Sequence, residues 1–238
     1  MKTKFNLFIF LGALFMSIVA FASPEDYSKK FKVSGFQNLD LGHAFEIKVS
    51  KGSAFSLAAY GRQEDVDDLE VDIDGNTLKV SYKDRNWGFN WGKNRKRIRL
   101  VITMPRLANA EFSGACRVDV DGFSNEEQMS FVFSGASRGQ LNQINADKLN
   151  VDLSGASHLN ISGHAGKLNV DASGASHLDG TNLMARDTDV EASGASHVSI
   201  QSQKTLRVDA SGASKVSYKG VPNISKDLSG AASINQVN

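Results

Sequence analysis

Ser154-Gly-Ala-Ser-His158, Ser173-Gly-Ala-Ser-His177 and Ser193-Gly-Ala-Ser-His197 are three copies of one phrase. Looser copies begin at Ser113 (SGACR), Ser134 (SGASR), Ser211 (SGASK) and Ser229 (SGAAS). Successive first serines stand 21, 20, 19, 20, 18 and 18 residues apart. A near-constant period of this length marks a stacked repeat architecture.

Alignment on the first serine exposes columns. One residue before it stand Phe112, Phe133, Leu153, Ala172, Ala192, Ala210 and Leu228. Three before it stand Ala110, Phe131, Val151, Val170, Val190, Val208 and Lys226. Five after it stand Val118, Gly139, Leu159, Leu178, Val198, Val216 and Ile234, and seven after it Val120, Leu141, Ile161, Gly180, Ile200, Tyr218 and Gln236. Apolar positions two apart on both sides of the phrase predict two strands per repeat with one face inward. Glycine supplies the turn, and alanine and serine are small enough to stack there. The prediction is an all-β chain: a parallel β-helix, or β-solenoid, of about seven short coils. Lys226 and Gln236 at inward positions suit a last rung that faces water.

The region before the repeat is also rich in strands. Phe45–Val49, Leu69–Ile73, Leu78–Val80 and Ile98–Ile102 alternate or run apolar, and Asp74-Gly75-Asn76 has the composition of a tight hairpin. Gln63 to Asp68 reads as a short helical turn or a loop. This region is expected to continue or cap the solenoid. The expected division is a signal peptide over 1–22, an N-terminal β-rich region over 23–107 and the repeat over 108–238. Lys2 and Lys4, the apolar run Phe5–Val19 and Ala20-Phe21-Ala22 form the charged, apolar and cleavage parts of the leader. With the leader removed, no transmembrane segment is expected, and the chain is placed in the periplasm, on the outer surface or outside the cell.

Composition narrows the function. Lys and Arg number 27 against 26 Asp and Glu, so removing Lys2 and Lys4 leaves a net charge of −1. That argues against a general nucleic-acid binder. Cys116 is the only cysteine, so no internal disulfide is expected.

The candidate chemistry lies in the polar columns. Four residues after the serine stand Arg117, Arg138, His158, His177, His197, Lys215 and Ser233, and two before it Glu111, Val132, Asp152, Asp171, Glu191, Asp209 and Asp227. Serine, histidine and acid together resemble a catalytic triad only superficially. A triad is one constellation with an oxyanion hole, whereas this set recurs in every rung and no G-x-S-x-G elbow is present. No catalytic residue is assigned. Histidines on a flat ladder do not converge into a zinc tetrahedron, and the G-G-x-G-x-D calcium motif is absent, so no metal or other cofactor is assigned. His43 and His164 lie outside the column and read as ordinary surface residues. Lys83 to Arg97 (KDRNWGFNWGKNRKR) carries Trp87, Trp91 and six basic residues, a set able to stack on sugar rings or to fold back as a cap. The candidate ligand-binding residues are Trp87, Trp91, His158, His177 and His197.

The SGAS(H/K/R) repeats, the leader and the opening F-x-x-x-x-L-G-x-A-F-E-I-x-V (Phe36 to Val49) resemble the DUF2807 family, the auto-transporter adhesin, head GIN domain type found mainly in Bacteroidetes. The resemblance spans Phe36 to Ile234. It implies an exported β-helical protein with an adhesive or surface role, and it brings no catalytic residues. The sequence runs to Asn238 with no translocator barrel after the repeat, so a self-exporting autotransporter is not expected. The leading expectation is therefore a non-enzymatic solenoid that binds glycans or other cell-surface components. The alternative is a carbohydrate-active β-helix enzyme, a polysaccharide lyase or hydrolase, which would break the columns with an insertion or a unique acid pair.

Overall fold

The computed structural model describes residues 27–83 and 95–237. The N-terminal part holds β1 (Tyr27–Phe31), β2 (Asn38–Leu41), β3 (Glu46–Lys51), β4 (Ser56–Gly61), the one-turn helix α1 (Gln63–Asp67), β5 (Leu69–Asp74), β6 (Thr77–Tyr82) and β7 (Arg99–Met104). The repeat holds β8 (Asn109–Phe112), β9 (Arg117–Asp121), β10 (Glu126–Phe133), β11 (Arg138–Leu153), β12 (His158–Ala172), β13 (His177–Ala192), β14 (His197–Ala210), β15 (Lys215–Lys219), β16 (Asn223–Leu228) and β17 (Ser233–Gln236). All of them join one hydrogen-bonded sheet wound into a β-solenoid.

Within the repeat every pairing is parallel, and the strands are in register on both sides of each corner. Ala110, Phe131, Val151, Val170, Val190, Val208 and Lys226 stand over one another, and so do Val118, Gly139, Leu159, Leu178, Val198, Val216 and Ile234. The predicted columns are thus the rungs of the solenoid. Long strands such as β12 run from one corner to the next and bend midway, where the register shifts. The core is filled by compensation in size. Phe112 and Phe133 pack with ring centroids 5.1 Å apart, and a Cβ on Gly139 would lie 2.5 Å from the Phe133 ring. Further along, alanine replaces phenylalanine before the corner while leucine and valine fill the column after it.

Each phrase is a corner. Gly114, Gly135, Gly155, Gly174, Gly194, Gly212 and Gly230 all have φ between 70° and 79°, a left-handed backbone that costs glycine nothing. The alanine N–H after each glycine donates to the glycine carbonyl one rung back, at 2.7 or 2.8 Å from Ala136 to Ala231. The second serine turns inward: Ser137, Ser157, Ser176, Ser196 and Ser214 are buried. Ser137, Ser157 and Ser214 donate their hydroxyls to the carbonyl of the first serine of the same phrase at 2.7 or 2.8 Å.

The N-terminal region continues the stack in an order that differs from the chain order. β2 pairs parallel with both β6 and β8, and β3 with both β7 and β9. The rung β2–β3 therefore lies between β6–β7 and the first repeat rung. Above it the sense reverses, as β4 pairs antiparallel with β7 and β1, and β5 with β6. Gly75 and Asn76 form the β5–β6 hairpin turn. These antiparallel strands close one end. At the other end β16 and β17 form the last rung among the described residues, and β16 is exposed along most of its length.

The corner column extends one copy beyond the seven phrases. Leu41-Gly42-His43-Ala44-Phe45 turns from β2 to β3, and His43 takes the place of glycine with φ 71°. The Ala115 N–H donates to the His43 carbonyl at 2.6 Å. His43 is exposed, as expected, and also forms a corner of the stack. Asparagine-like polar residues tolerate this backbone better than branched ones, and histidine shares that tolerance.

Candidate ligand-binding face

The strand after each corner points alternate side chains outward, and the parallel register stacks them. One outward column reads Glu46, Arg117, Arg138, His158, His177, His197, Lys215 and Ser233. The three imidazoles are exposed. Their ring centroids lie 5.9 Å (His158–His177) and 6.1 Å (His177–His197) apart, tilted by 33° and 34°. Rungs stack at roughly 4.8 Å, so the rings splay rather than lie flat on one another. His158 Nδ1 lies 3.3 Å from the Ala156 carbonyl oxygen. With the proton on Nδ1 it donates there, and Nε2 faces solvent.

The electrostatics of the column follow from this stacking. Partial burial depresses the His177 pKa below its ordinary 6.5, the cationic forms of His158 and His197 depress it further, and Asp179 opposes them. Arg138 stands over His158 and Lys215 beneath His197. The stripe therefore carries fixed cations at its ends and titratable imidazoles in its centre. Asp179, on the neighbouring outward column, accepts from the Thr181 hydroxyl at 2.7 Å and the Thr181 N–H at 3.1 Å.

The acids lie across the corner. Asp40, Glu111, Val132, Asp152, Asp171, Glu191, Asp209 and Asp227 form one outward column on the strands before it. Burial and then the neighbouring Asp171 carboxylate raise the Asp152 pKa. Between the acid and histidine columns stands the buried serine, occupied with its own corner carbonyl in three of the rungs. Among the described residues no serine hydroxyl bonds to a histidine ring. No group of three or more histidine, cysteine, aspartate or glutamate side chains there has the arrangement of a metal site. Cys116 fills the inward serine position at the first phrase and is buried, with its thiol pKa pushed up to about 11 by burial.

Trp87 and Trp91 lie outside the described residues. Both flanks of their segment are anchored at the C-terminal end of α1. Lys83 Nζ donates to the Asp67 carbonyl at 2.7 Å, and the Arg95 guanidinium pairs with the buried Asp68 at 2.6 Å. Arg95 also lies 4.0 Å over the Tyr82 ring, and Tyr82 packs edge-on against His43 at 5.1 Å. These flanks therefore sit beside the capped end of the corner column.

A concave surface lies on another part of the coil and has no signature in the sequence. Where the coils bend midway, a groove of about 540 Å³ is lined by residues that include Asn145, Asp147, His164, Met184 and Arg186. His164 Nδ1 lies 3.2 Å from Asn145 Oδ1. The bend lacks a repeated phrase, so only the register between rungs brings these residues together.

The family described as "Putative auto-transporter adhesin, head GIN domain" matches residues 35–222. The fold is similar to that of a "putative adhesin" from Bacteroides fragilis, with 23% identity, a TM-score of 0.77, and coverage of 90% of this chain and 98% of that one. It is also similar to a "Putative lipid binding protein" from Parabacteroides distasonis, with 18% identity, a TM-score of 0.69, and coverage of 90% and 97%. A "putative adhesin" from Parabacteroides merdae has 12% identity, a TM-score of 0.70 and the same coverage. No curated protein matches the sequence. No helix among the described residues is long and apolar enough to cross a membrane.

Proposed function

The chain belongs to the DUF2807 family of auto-transporter adhesin, head GIN domains, and from that premise we propose that it is an exported, non-enzymatic adhesin that holds a repetitive glycan of a cell surface along its histidine stripe. The observation that carries this reading is the spacing of His158, His177 and His197. Three identical groups stand at 5.9 and 6.1 Å intervals on a rigid parallel stack, with Arg117 and Arg138 above them and Lys215 below. A surface that repeats the same group rung after rung is complementary to a partner that repeats its own. Rigidity also lowers the ordering cost of binding, because the display is organised before the partner arrives. The fixed cations favour a glycan bearing carboxylate or sulfate groups, and the imidazoles add donors and acceptors between them.

Export rests on the leader Met1–Ala22, and the surface role on the family. Trp87 and Trp91 remain candidates for stacking on sugar rings, on a segment whose flanks are tied to the scaffold by Arg95 and Lys83.

The experiment is binding of the leaderless protein to immobilised polysaccharides, paired with a reducing-sugar assay. Retention on an anionic repeating polysaccharide, weakened when His158, His177 and His197 are all changed to alanine, supports the reading. Release of reducing ends from any polysaccharide overturns it in favour of a carbohydrate-active enzyme.

A further inference from the structure

We infer that the groove at the midway bend is a second binding site, built for a short neutral segment of a sugar chain. The inference rests on reading the protein as a glycan binder, but it concerns another side of the coil and another ligand chemistry.

The groove lies along two outward columns of the bend. Asn145, His164 and Met184 stand over one another in register as one outward column. Two residues along, on the same face, stand Asp147, Gly166 and Arg186. Gly166 places no side chain between Asp147 and Arg186, and a Cβ there would lie 2.6 Å from the Asp147 carbonyl oxygen, so the close approach of the rungs admits only glycine. Between the two columns run the inward residues Ala146, Ala165 and Ala185, whose small size lets the wall come in. The result is a hollow of about 540 Å³, within the roughly 300–1,000 Å³ usual for small-ligand sites.

The lining chooses the ligand. Asn145 offers an amide donor and acceptor, Asp147 a carboxylate, Arg186 a guanidinium and His164 an imidazole. His164 Nδ1 is engaged with Asn145 Oδ1 at 3.2 Å, which leaves Nε2 without a partner among the described residues. Met184 is exposed and supplies a polarizable apolar surface at the rim. Glu127 adds a second carboxylate beside Asp147, Arg186 also lies 3.6 Å from Asp187, and Glu126 is held by Lys51 and Arg106. A vicinal diol, which donates and accepts at adjacent atoms and carries no charge, satisfies this set. A phosphate or sulfate would face the Glu127 and Asp147 carboxylates, whereas adjacent sugar hydroxyls can donate to either of them. The histidine stripe differs in kind: it repeats cationic groups along the axis and suits a charged polymer.

The test uses the leaderless protein with labelled methionine methyls. Outside the leader the methionines are Met104, Met129 and Met184, and only Met184 is exposed. Short malto-, cello-, xylo- and manno-oligosaccharides are titrated in turn. The expected result is a saturable shift of the Met184 methyl with at least one of them. In the double variant His164→Ala with Asp147→Ala the affinity for that sugar should fall about tenfold or more, as expected when two hydrogen bonds to polar or charged groups are lost. Both side chains are exposed, so the fold should survive, and unchanged Met104 and Met129 methyls verify it. Binding that leaves the Met184 methyl unmoved, or an unchanged affinity in the double variant, overturns the groove alone. The triple variant of His158, His177 and His197 should still show the Met184 shift, and loss of the shift there also overturns it. If no neutral oligosaccharide binds, the groove proposal fails while the anionic polysaccharide assay still decides the stripe.

Discussion

Gly174 is stacked beneath Gly155 so closely that a Cβ on Gly174 would lie 2.6 Å from the Gly155 carbonyl oxygen. The corner glycine thus answers two demands at once, the left-handed backbone and the contact between rungs. Gly75 isolates the first of them. Its φ is 60°, but a Cβ there meets nothing within 4 Å. Gly75→Ala should cost only the conformational part, about 1–2 kcal/mol. Gly174→Ala should cost that and the steric overlap as well, since the neighbouring atom is backbone and moves only with the whole rung. Denaturant midpoints of the two variants against the wild type measure the difference. Equal losses would mean that the stacking contact is immaterial.

His177 should titrate below 6.5, because burial and its two imidazole neighbours disfavour the charged ring. The sign for stability follows by linkage. The folded pKa is lower than the unfolded one, so the unfolded chain binds more protons between them. The contribution of His177 is complete above the unfolded value and is lost as pH falls through about 6.5 and below. Ring-proton NMR titration should place the His177 midpoint under 6.5. Changing His158 and His197 to alanine should move it part of the way back, leaving the share due to burial. A midpoint above 6.5 in the wild type would show that Asp179 outweighs the rest.

The repeat half of the fold was legible because its register is written into the sequence. Identical spacing from the serine to Val151, Val170 and Val190 is a direct record of which residues stack. The N-terminal half left no such record. Its rungs β2–β3 and β6–β7 stack out of chain order, and a non-periodic segment gives no signal for that. The corner at Gly42–His43 was hidden for a related reason. Phe45 replaces the second serine and His43 the glycine, so the phrase vanishes although the backbone geometry persists. The histidine column could be read from spacing alone. The groove could not, because Asn145, His164 and Met184 lie at bends where insertions shift the count between repeats.

Cys116 should behave as a buried serine analogue. Its thiol lies 3.2 Å from the Ser113 carbonyl oxygen, the same partner that the serine hydroxyls find in Ser137 and Ser157. With the pKa pushed up to about 11, only about one thiol in ten thousand is ionised at neutral pH, and the thiolate is the reactive form. Labelling by a disulfide reagent should therefore be slow in the native protein and fast in denaturant. Cys116→Ser should keep the stability within about 1 kcal/mol, since the hydroxyl gains a hydrogen bond of that size. Rapid native labelling would indicate that the corner opens.

Lys226 lies on the exposed edge of the last described rung. It occupies the inward position that Val208 holds one rung earlier, and Gln236 does the same beneath Tyr218. Ile224 is exposed on the same strand, so the end would otherwise present an apolar edge with unpaired backbone groups. An inward-pointing lysine opposes strand addition, because a strand docked there would bury an unpaired charge. The opposite end needs no such device, since β4 and β5 close it with antiparallel pairs. Lys226→Val should therefore increase self-association with concentration, read as a rising mass in light scattering behind size exclusion. Lys226→Glu, which keeps a charge at the same place, should match the wild type. If the valine variant shows no more association than the glutamate variant, the charge at Lys226 is not what protects the edge.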